Sequence, residues 1–438
     1  MQKSLIAALV AGAFLSLPAT AADLLQVYKQ ALTNDATFAS ARASLLAGRE
    51  RVPQGLSGLL PTVSASVGYS RDSSQSTPDG LPELPKVTGN NTTYGINLSQ
   101  PLFRWDRYQT YQQSKLAEAI AEATFAQAQQ DLITRVAQAY FDVLAAQDTL
   151  ESTRAQKTAV TEQLASAKRN FEVGTQTITD THEAQAAYDL VVAQEFAAVN
   201  DLEVKRTALQ AIIGQAPGAL SALKPGVSLS APKPAVIDEW VGTAEKQNYT
   251  VQISSLNVES AKRDIEKGKA GHYPTLDLNA KMGRSKSTTP GNAGSADTNS
   301  IGVALNVPLF SGFAVTSRVR ETIALEDKAR NDLEAARRAA AQATRQSFLG
   351  VNSGLAQVKA LEAAEVSSQS ALDSNKLGYQ VGVRINIDVL NAQKQLYSTR
   401  TSLAKARYDT IVNGLRLKAA AGVLKEEDLA VVNELLQK

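Results

Sequence analysis

The 438-residue chain contains no cysteine. That excludes a disulfide framework and any lipid carried on an N-terminal thiol. Beyond the first two dozen residues no run of about 20 apolar residues occurs, so no transmembrane helix is expected. A membrane span, if there is one, must be a β-barrel, because only helices and closed barrels satisfy their backbone in lipid. Aromatics are scarce, 5% against 44% hydrophobic, and alanine is abundant. Small side chains suit helices packed closely over long distances better than one bulky globular core. Charge of either sign is not in excess, with 45 basic against 43 acidic residues and no basic run, which argues against nucleic acid as a partner. The two histidines, His182 and His272, have no second ligand at metal spacing. No nucleophile elbow, phosphate loop or paired catalytic acids appear, so neither an enzyme nor a cofactor is expected.

What is present starts with an export signal. MQKSLIAALVAGAFLSLPATAADLL carries Lys3, an apolar stretch from Leu5 to Leu17, Pro18 and then Ala19-Thr20-Ala21. This layout predicts a cleavable signal over residues 1–22, with the mature chain beginning near Asp23.

Two halves can then be superposed. LLPTVSASVGY (59–69) matches HYPTLDLNAKM (272–282), and SQPLFRWDRYQ (99–109) matches NVPLFSGFAVT (306–316). VGTQTITD (173–180) matches VGVRINID (381–388), at an offset of 208 residues. Three landmarks in one order at nearly one spacing predict a tandem duplication. The first repeat covers 23–213, a joint 214–234, the second repeat 235–424 and a C-terminal tail 425–438.

Each half opens with a helical segment, Leu24–Ala47 or Ala235–Lys267. Two stretches of period two come next. Val63, Ala65, Val67 and Tyr69 share a face in the first, as do Tyr94, Ile96 and Leu98 in its partner. Leu276, Leu278, Ala280 and Met282, then Ile301, Val303, Leu305 and Val307, repeat the pattern. Such strands are long enough to cross a bilayer when tilted. The segments 72–91 and 285–299, rich in Ser, Pro and Gly, read as exposed hairpin loops.

From Leu102 to Val173 there are 72 residues without Gly or Pro. A helix of about 65 residues would be roughly 100 Å long. Gly350 and Gly354 predict some irregularity in the corresponding second tract. Returning helices are expected over Thr175–Ile213 and Val383–Asn413. Gly174 and Gly382, at the ends of the outgoing helices, are read as left-handed turns that make helix–turn–helix tips.

Four strands with one apolar face form a sheet with two bare edges, and unpaired backbone in lipid costs several kcal/mol per group. Closure therefore needs further copies: two would give eight strands, three would give twelve.

The order of signal, hairpin, PLF, long helix, VGxxxITD turn and a second round ending GYQVGVRINIDVLNAQKQLYSTRTSLAKARYDTIVNGLRLKAAAGVL (378–424) resembles the TolC family of outer-membrane channel-tunnels over essentially the whole mature chain. The resemblance implies an α+β membrane protein in the outer membrane that extends into the periplasm. It implies a homotrimer whose twelve-stranded barrel sits in the lipid bilayer and continues as a long α-helical barrel, with an equatorial belt built from the joint and the C-terminal tail. It implies a passive exit duct of a tripartite efflux pump or type I secretion system, working with a periplasmic membrane-fusion adaptor at the Gly174 and Gly382 tips and an inner-membrane transporter of RND, ABC or MFS type.

The resemblance also implies site roles. Arg384 and Tyr379 would link to Asp180 on a neighbouring helix pair and hold the mouth closed. On the residues alone, Arg384 and Asp388 read as an ordinary i,i+4 surface pair worth about 0.3–0.5 kcal/mol. Asp388 falls where the family places a carboxylate facing the pore axis, and three copies around one axis would favour a bound cation. Many family members carry a second acidic ring three residues on, where this chain has Asn391. That departure predicts a less negative constriction and weaker block by multivalent cations. The competing reading is a non-pore periplasmic coiled-coil scaffold or adaptor, against which the lipid-facing stripe of the strands argues.

Overall fold

A computed structural model describes residues 21–77, 79–80 and 83–437. The predicted signal segment lies outside the described residues apart from Ala21 and Ala22. In chain order the elements are α1 (Leu24–Asn34), α2 (Ala36–Arg49), α3 (Arg51–Ser57), β1 (Thr62–Ser74), β2 (Val87–Phe103), α4 (Trp105–Glu172) and α5 (Ile178–Ile213). After these come α6 (Ile237–Gln247), α7 (Tyr249–Lys269), β3 (Thr275–Ser287), β4 (Gly294–Asn306), α8 (Ala314–Gln380), α9 (Asn386–Ala420) and α10 (Glu426–Asn433). The chain is mostly helical with one four-stranded antiparallel sheet, ordered β1-β2-β3-β4.

It divides into two compact units, each drawing on both halves of the sequence. Of the described residues, one unit holds those up to Arg42, Phe125–Val251 and those from Arg337 on; the other holds those within Ala43–Thr124 and Gln252–Ala336.

In the second unit, register brings the period-two residues together. Val63 stands opposite Leu98, Ala65 opposite Ile96 and Val67 opposite Tyr94. Leu98 pairs Ala280 and Ile96 pairs Met282, while Ala280 pairs Ile301 and Leu278 pairs Val303. Because side chains alternate along each strand, these rows form one continuous apolar face and leave Ser, Thr, Asn and Lys on the other. The apolar face is bare: Val67 is 74% exposed and Ile301 77%. Where β2 hands over to α4, Arg104 grips Asp277 of β3 through two hydrogen bonds of 3.0 and 2.7 Å.

The hairpin loops are shorter than the sequence predicts. β1 runs on to Ser74 and β2 starts at Val87, while β3 reaches Ser287 and β4 starts at Gly294. The loops shrink to residues 75–86 and 288–293. Ladder hydrogen bonds use the backbone, so a paired hairpin keeps zipping through Ser, Thr and Asn that lack hydrophobic drive of their own.

In the first unit the core gathers Leu132, Val136, Tyr140 and Leu144 of α4 against Leu24 and Val27 of α1, Leu209 of α5, Leu415 of α9 and Leu429 of α10. The joint and the C-terminal tail meet there: Leu223 bridges Leu436, and Lys224 donates its N–H to the Leu435 carbonyl at 2.9 Å.

Three helical expectations are corrected. The segment 24–47 is not one helix but breaks at Asp35, whose N–H closes α1 on Ala31 while its carboxylate caps α2 through the Phe38 N–H at 2.6 Å. Likewise 235–267 breaks at Asn248, whose N–H bonds Ala244 and whose side chain accepts from Thr250 and Val251. Asp and Asn favour this because they offer the backbone a local partner that competes with the helix. Finally, α8 runs 67 residues without a break through Gly350 and Gly354. A Cβ at Gly350 would stand 3.5 Å from the Asn413 amide, and one at Gly354 would collide with the Thr410 hydroxyl. Gly354 thus marks close approach of α9, whereas Gly350 faces only an ordinary contact, and neither interrupts the helix. α9 itself passes Asn413 and Gly414 and ends at Ala420.

Candidate functional site

Four helices of the first unit end in two tips. α4 and α5 are stapled by Glu195, which receives Lys157 at 2.8 Å and Arg154 at 3.2 Å. Hydrogen bonds from those two cations hold its carboxyl below the usual range. α8 and α9 are stapled by Arg400–Glu365 and Arg407–Glu362. Towards the tips, α9 packs on both partners. Leu390 joins Val160, Leu164 and Val191, while Val389 and Leu396 join Leu372.

The two turns share one backbone solution. At the first, Gly174 has φ 76° and the N–H groups of Thr175 and Gln176 return to the Asn170 carbonyl at 2.9 and 3.3 Å. At the second, Gly382 has φ 78° and the N–H groups of Val383 and Arg384 return to Gly378 at 2.8 and 3.0 Å. Left-handed glycine lets the last carbonyls be satisfied while the chain reverses. Both tips expose apolar side chains, Val173 at 72% and Val383 at 78%.

The turns differ in how the returning helix is capped. Thr177 is the N-cap of α5. Its hydroxyl accepts the Asp180 N–H at 3.4 Å and donates to the Asp180 carboxylate at 2.8 Å, while that carboxylate takes the Thr177 N–H at 3.0 Å. This is a closed capping box. The matching residue at the second tip is Ile385, which has no side-chain cap. Released from capping, the Asp388 carboxylate lies 3.6 Å from the Arg384 guanidinium. Asp180 and Asp388 therefore hold one sequence position and do different work, because threonine precedes one and isoleucine the other.

Within one chain, no hydrogen bond or ion pair among the described residues joins Arg384 or Tyr379 to the Asp180 side chain. Tyr379 instead receives the Gln176 amide at 2.5 Å. Asn391 is exposed one turn beyond Asp388. A residue that sequence reasoning missed sits between the tips. Asn386 is 0% exposed, accepts from the Gln163 amide at 2.6 Å and donates to the Asp180 carbonyl at 3.0 Å. Its side chain thus ties the start of α9 to both α4 and α5. The available signal was the exchange of Ile178 for Asn386 when the two elements are aligned.

The comparisons with known proteins agree with this architecture. A family profile described as "Outer membrane efflux protein" matches residues 27–215 and 240–423. The chain is 34% identical to outer membrane protein TolC of Vibrio cholerae, over 94% of this chain and 93% of that one. It is 32% identical to the alkaline protease secretion protein AprF of Pseudomonas aeruginosa, over 96% and 89%. The solved CmeC outer membrane channel of Campylobacter jejuni superposes with a TM-score of 0.80 at 18% identity, covering 94% of this chain and 89% of that chain, and supports the fold. The chain belongs to the outer membrane efflux protein family, resides in the outer membrane and is not an enzyme.

Proposed function

We propose that three copies of this chain assemble into the outer-membrane exit duct of a tripartite efflux pump or type I secretion system. The observation that carries the reading is the sheet. A continuous exposed apolar face, a polar reverse face and two unpaired edges fit one stave of a closed barrel. Twelve strands from three copies close a water-filled barrel, and the long helices of the same copies form a periplasmic helical barrel. The sequence halves are tandem repeats of one plan, and the joint with the C-terminal tail forms its belt. The duct is passive, and its energy comes from an inner-membrane transporter of RND, ABC or MFS type reached through a periplasmic adaptor that docks at the Gly174 and Gly382 tips.

Gating belongs to the tips. Asp388 lines the constriction with Asn391 one turn deeper, and the links that close it run from Arg384 and Tyr379 of one copy to Asp180 of the next. The Arg384–Asp388 pair seen within the chain leaves Arg384 57% exposed at its side chain, available to a second carboxylate.

The test combines fractionation with conductance. The protein should sediment with outer membrane as an SDS-resistant, heat-modifiable oligomer; recovery from the soluble periplasm would refute the duct. In planar bilayers Arg384→Ala and Asp180→Ala should raise single-channel conductance, and unchanged conductance would refute the links. Asn391→Asp should strengthen block by multivalent cations. Cysteines placed beside Gly174 or Gly382 in this cysteine-free chain should crosslink to the adaptor.

A further inference from the structure

The apolar face of the sheet has two dissimilar ends. Towards the helices it finishes in Leu276, Leu305 and the exposed pair Phe310 and Phe313, whose rings meet edge to face at 5.4 Å. Towards the hairpin loops the rows change character. Val67 and Tyr94 share a row with Arg284 and Asp297, and the next row holds Tyr69, Thr92, Lys286 and Ser295. Arg71, opposite Asn90, stands in the row after that. Alternation puts all of these on the side that carries Val63, Ile96 and Ile301. Three cations and one carboxylate therefore cluster at one end of that face, with none in the apolar rows at the other.

The carboxylate is already engaged. Arg284 holds Asp297 through two hydrogen bonds of 2.6 and 2.7 Å, using its Nε and one Nη and leaving donors on the other. Neither Arg71 nor Lys286 has a hydrogen-bond or ion-pair partner among the described residues, and both are exposed. The nearby Asp72 carboxylate points to the opposite face, where it accepts from Ser70 at 3.0 Å.

We infer that Arg71, Lys286 and the free donors of Arg284 form an outward rim that binds the phosphate groups of lipids in the outer leaflet. The loop end is the outer end, because the opposite end of every strand leads into the helical part of the chain and barrel hairpin loops are longest outside. Successive outward residues on a strand are about 7 Å apart, so Arg284 and Lys286 can share one phosphate while Arg71 reaches another two strands away. Tyr69 and Tyr94 add an amphipathic ring-and-hydroxyl layer at the depth where headgroups meet acyl chains. An anionic lipid satisfies the two unpaired cations without removing them from the interface. The inference rests on residence in the outer membrane and on the barrel proposed above, not on the gating links.

The test uses the full mature oligomer reconstituted in nanodiscs of neutral phosphatidylcholine. These are doped with bis-phosphorylated lipid A or with the same lipid stripped of its phosphates, and retained lipid is counted by native mass spectrometry. The wild type should retain the phosphorylated form preferentially. Removing a cation should weaken retention about five-fold, so Arg71→Gln with Lys286→Gln should weaken it roughly 25-fold. The charge-preserving pair Arg71→Lys with Lys286→Arg should retain lipid, as should Lys281→Gln on the opposite face. Equal retention of phosphorylated and stripped lipid would overturn the rim. So would an unchanged double glutamine variant, or an equal loss in Lys281→Gln.

Discussion

The Asn386 side chain accepts a hydrogen bond from Gln163 of α4 while donating one to the backbone carbonyl of Asp180 on α5. One wholly buried amide thus ties the start of α9 to two helices more than 200 residues earlier in the chain. Replacing it removes both bonds at once. Because Gln163 and Asp180 are only half-buried, Asn386→Ala should cost about 1–3 kcal/mol in all. Amide hydrogen exchange should show the cost as faster opening confined to residues around 160–185 and 380–395. An unchanged exchange map would mean that the bridge contributes nothing to holding the tips together.

The contrast between Thr177 and Ile385 can be exchanged. Thr177→Val should lose the capping box and destabilise the start of α5 by about 1 kcal/mol. Ile385→Thr should give α9 the cap it lacks and draw the Asp388 carboxylate away from Arg384. NMR or exchange protection of the first turn of each helix reads both effects, which should have opposite signs.

Gly350 and Gly354 should respond differently to a methyl group. Gly350→Ala meets only an ordinary contact and should gain up to about 1 kcal/mol of helix propensity. Gly354→Ala drives Cβ into Thr410, whose buried hydroxyl is bonded to Ala406 at 2.7 Å, and should cost about 1–3 kcal/mol against the same gain. Thermal midpoints of the two variants should fall on opposite sides of the wild type.

Acid should loosen the break between α1 and α2. Burial pushes the Asp35 carboxyl upward, but hydrogen bonds from Arg135 and from the backbone N–H groups of Phe38 and Thr37 outweigh it and hold it below the ordinary range. A depressed native value means stability that is present above the unfolded carboxylate value, about 3.9, and lost as pH falls through the native one. Asp35→Asn keeps an N-cap and should flatten the pH dependence below about pH 4. Arg135→Met leaves a buried carboxylate unpaired. It should cost an amount at the low end of roughly 3–5 kcal/mol, because Arg135 is itself 38% exposed. Thermal midpoints measured as a function of pH would read both.

Much of this architecture is legible in the residues. Period two places Val63, Ile96, Ala280 and Ile301 on one face, and the register joins them in rows. The lack of Gly and Pro after Leu102 reads directly as α4. Misreadings arise where local chemistry and distant packing compete. Asp35 and Asn248 sit inside apolar helical patterns, and their caps interrupt a periodicity that looks unbroken. Gly354 looks like a breaker only when Thr410 is out of sight. At the site, Gly174 and Gly382 announce themselves because left-handed backbone has a residue preference. Gln163, Gln176 and Asn386 do not, since a bond between residues 203 or 223 apart leaves no mark on the local pattern of either.

The outer edges of β1 and β4 bear on how the molecule comes into being. Each is a 13-residue strand with half its backbone groups directed away from its own sheet. Water can satisfy those groups and hydrocarbon cannot, at several kcal/mol apiece. A solitary chain is thus barred from the bilayer it is destined for, and the edge that bars it is also a template for wrong pairing. If three copies close the barrel as proposed, insertion and subunit closure have to be a single event, and assembled trimers should not trade subunits once formed.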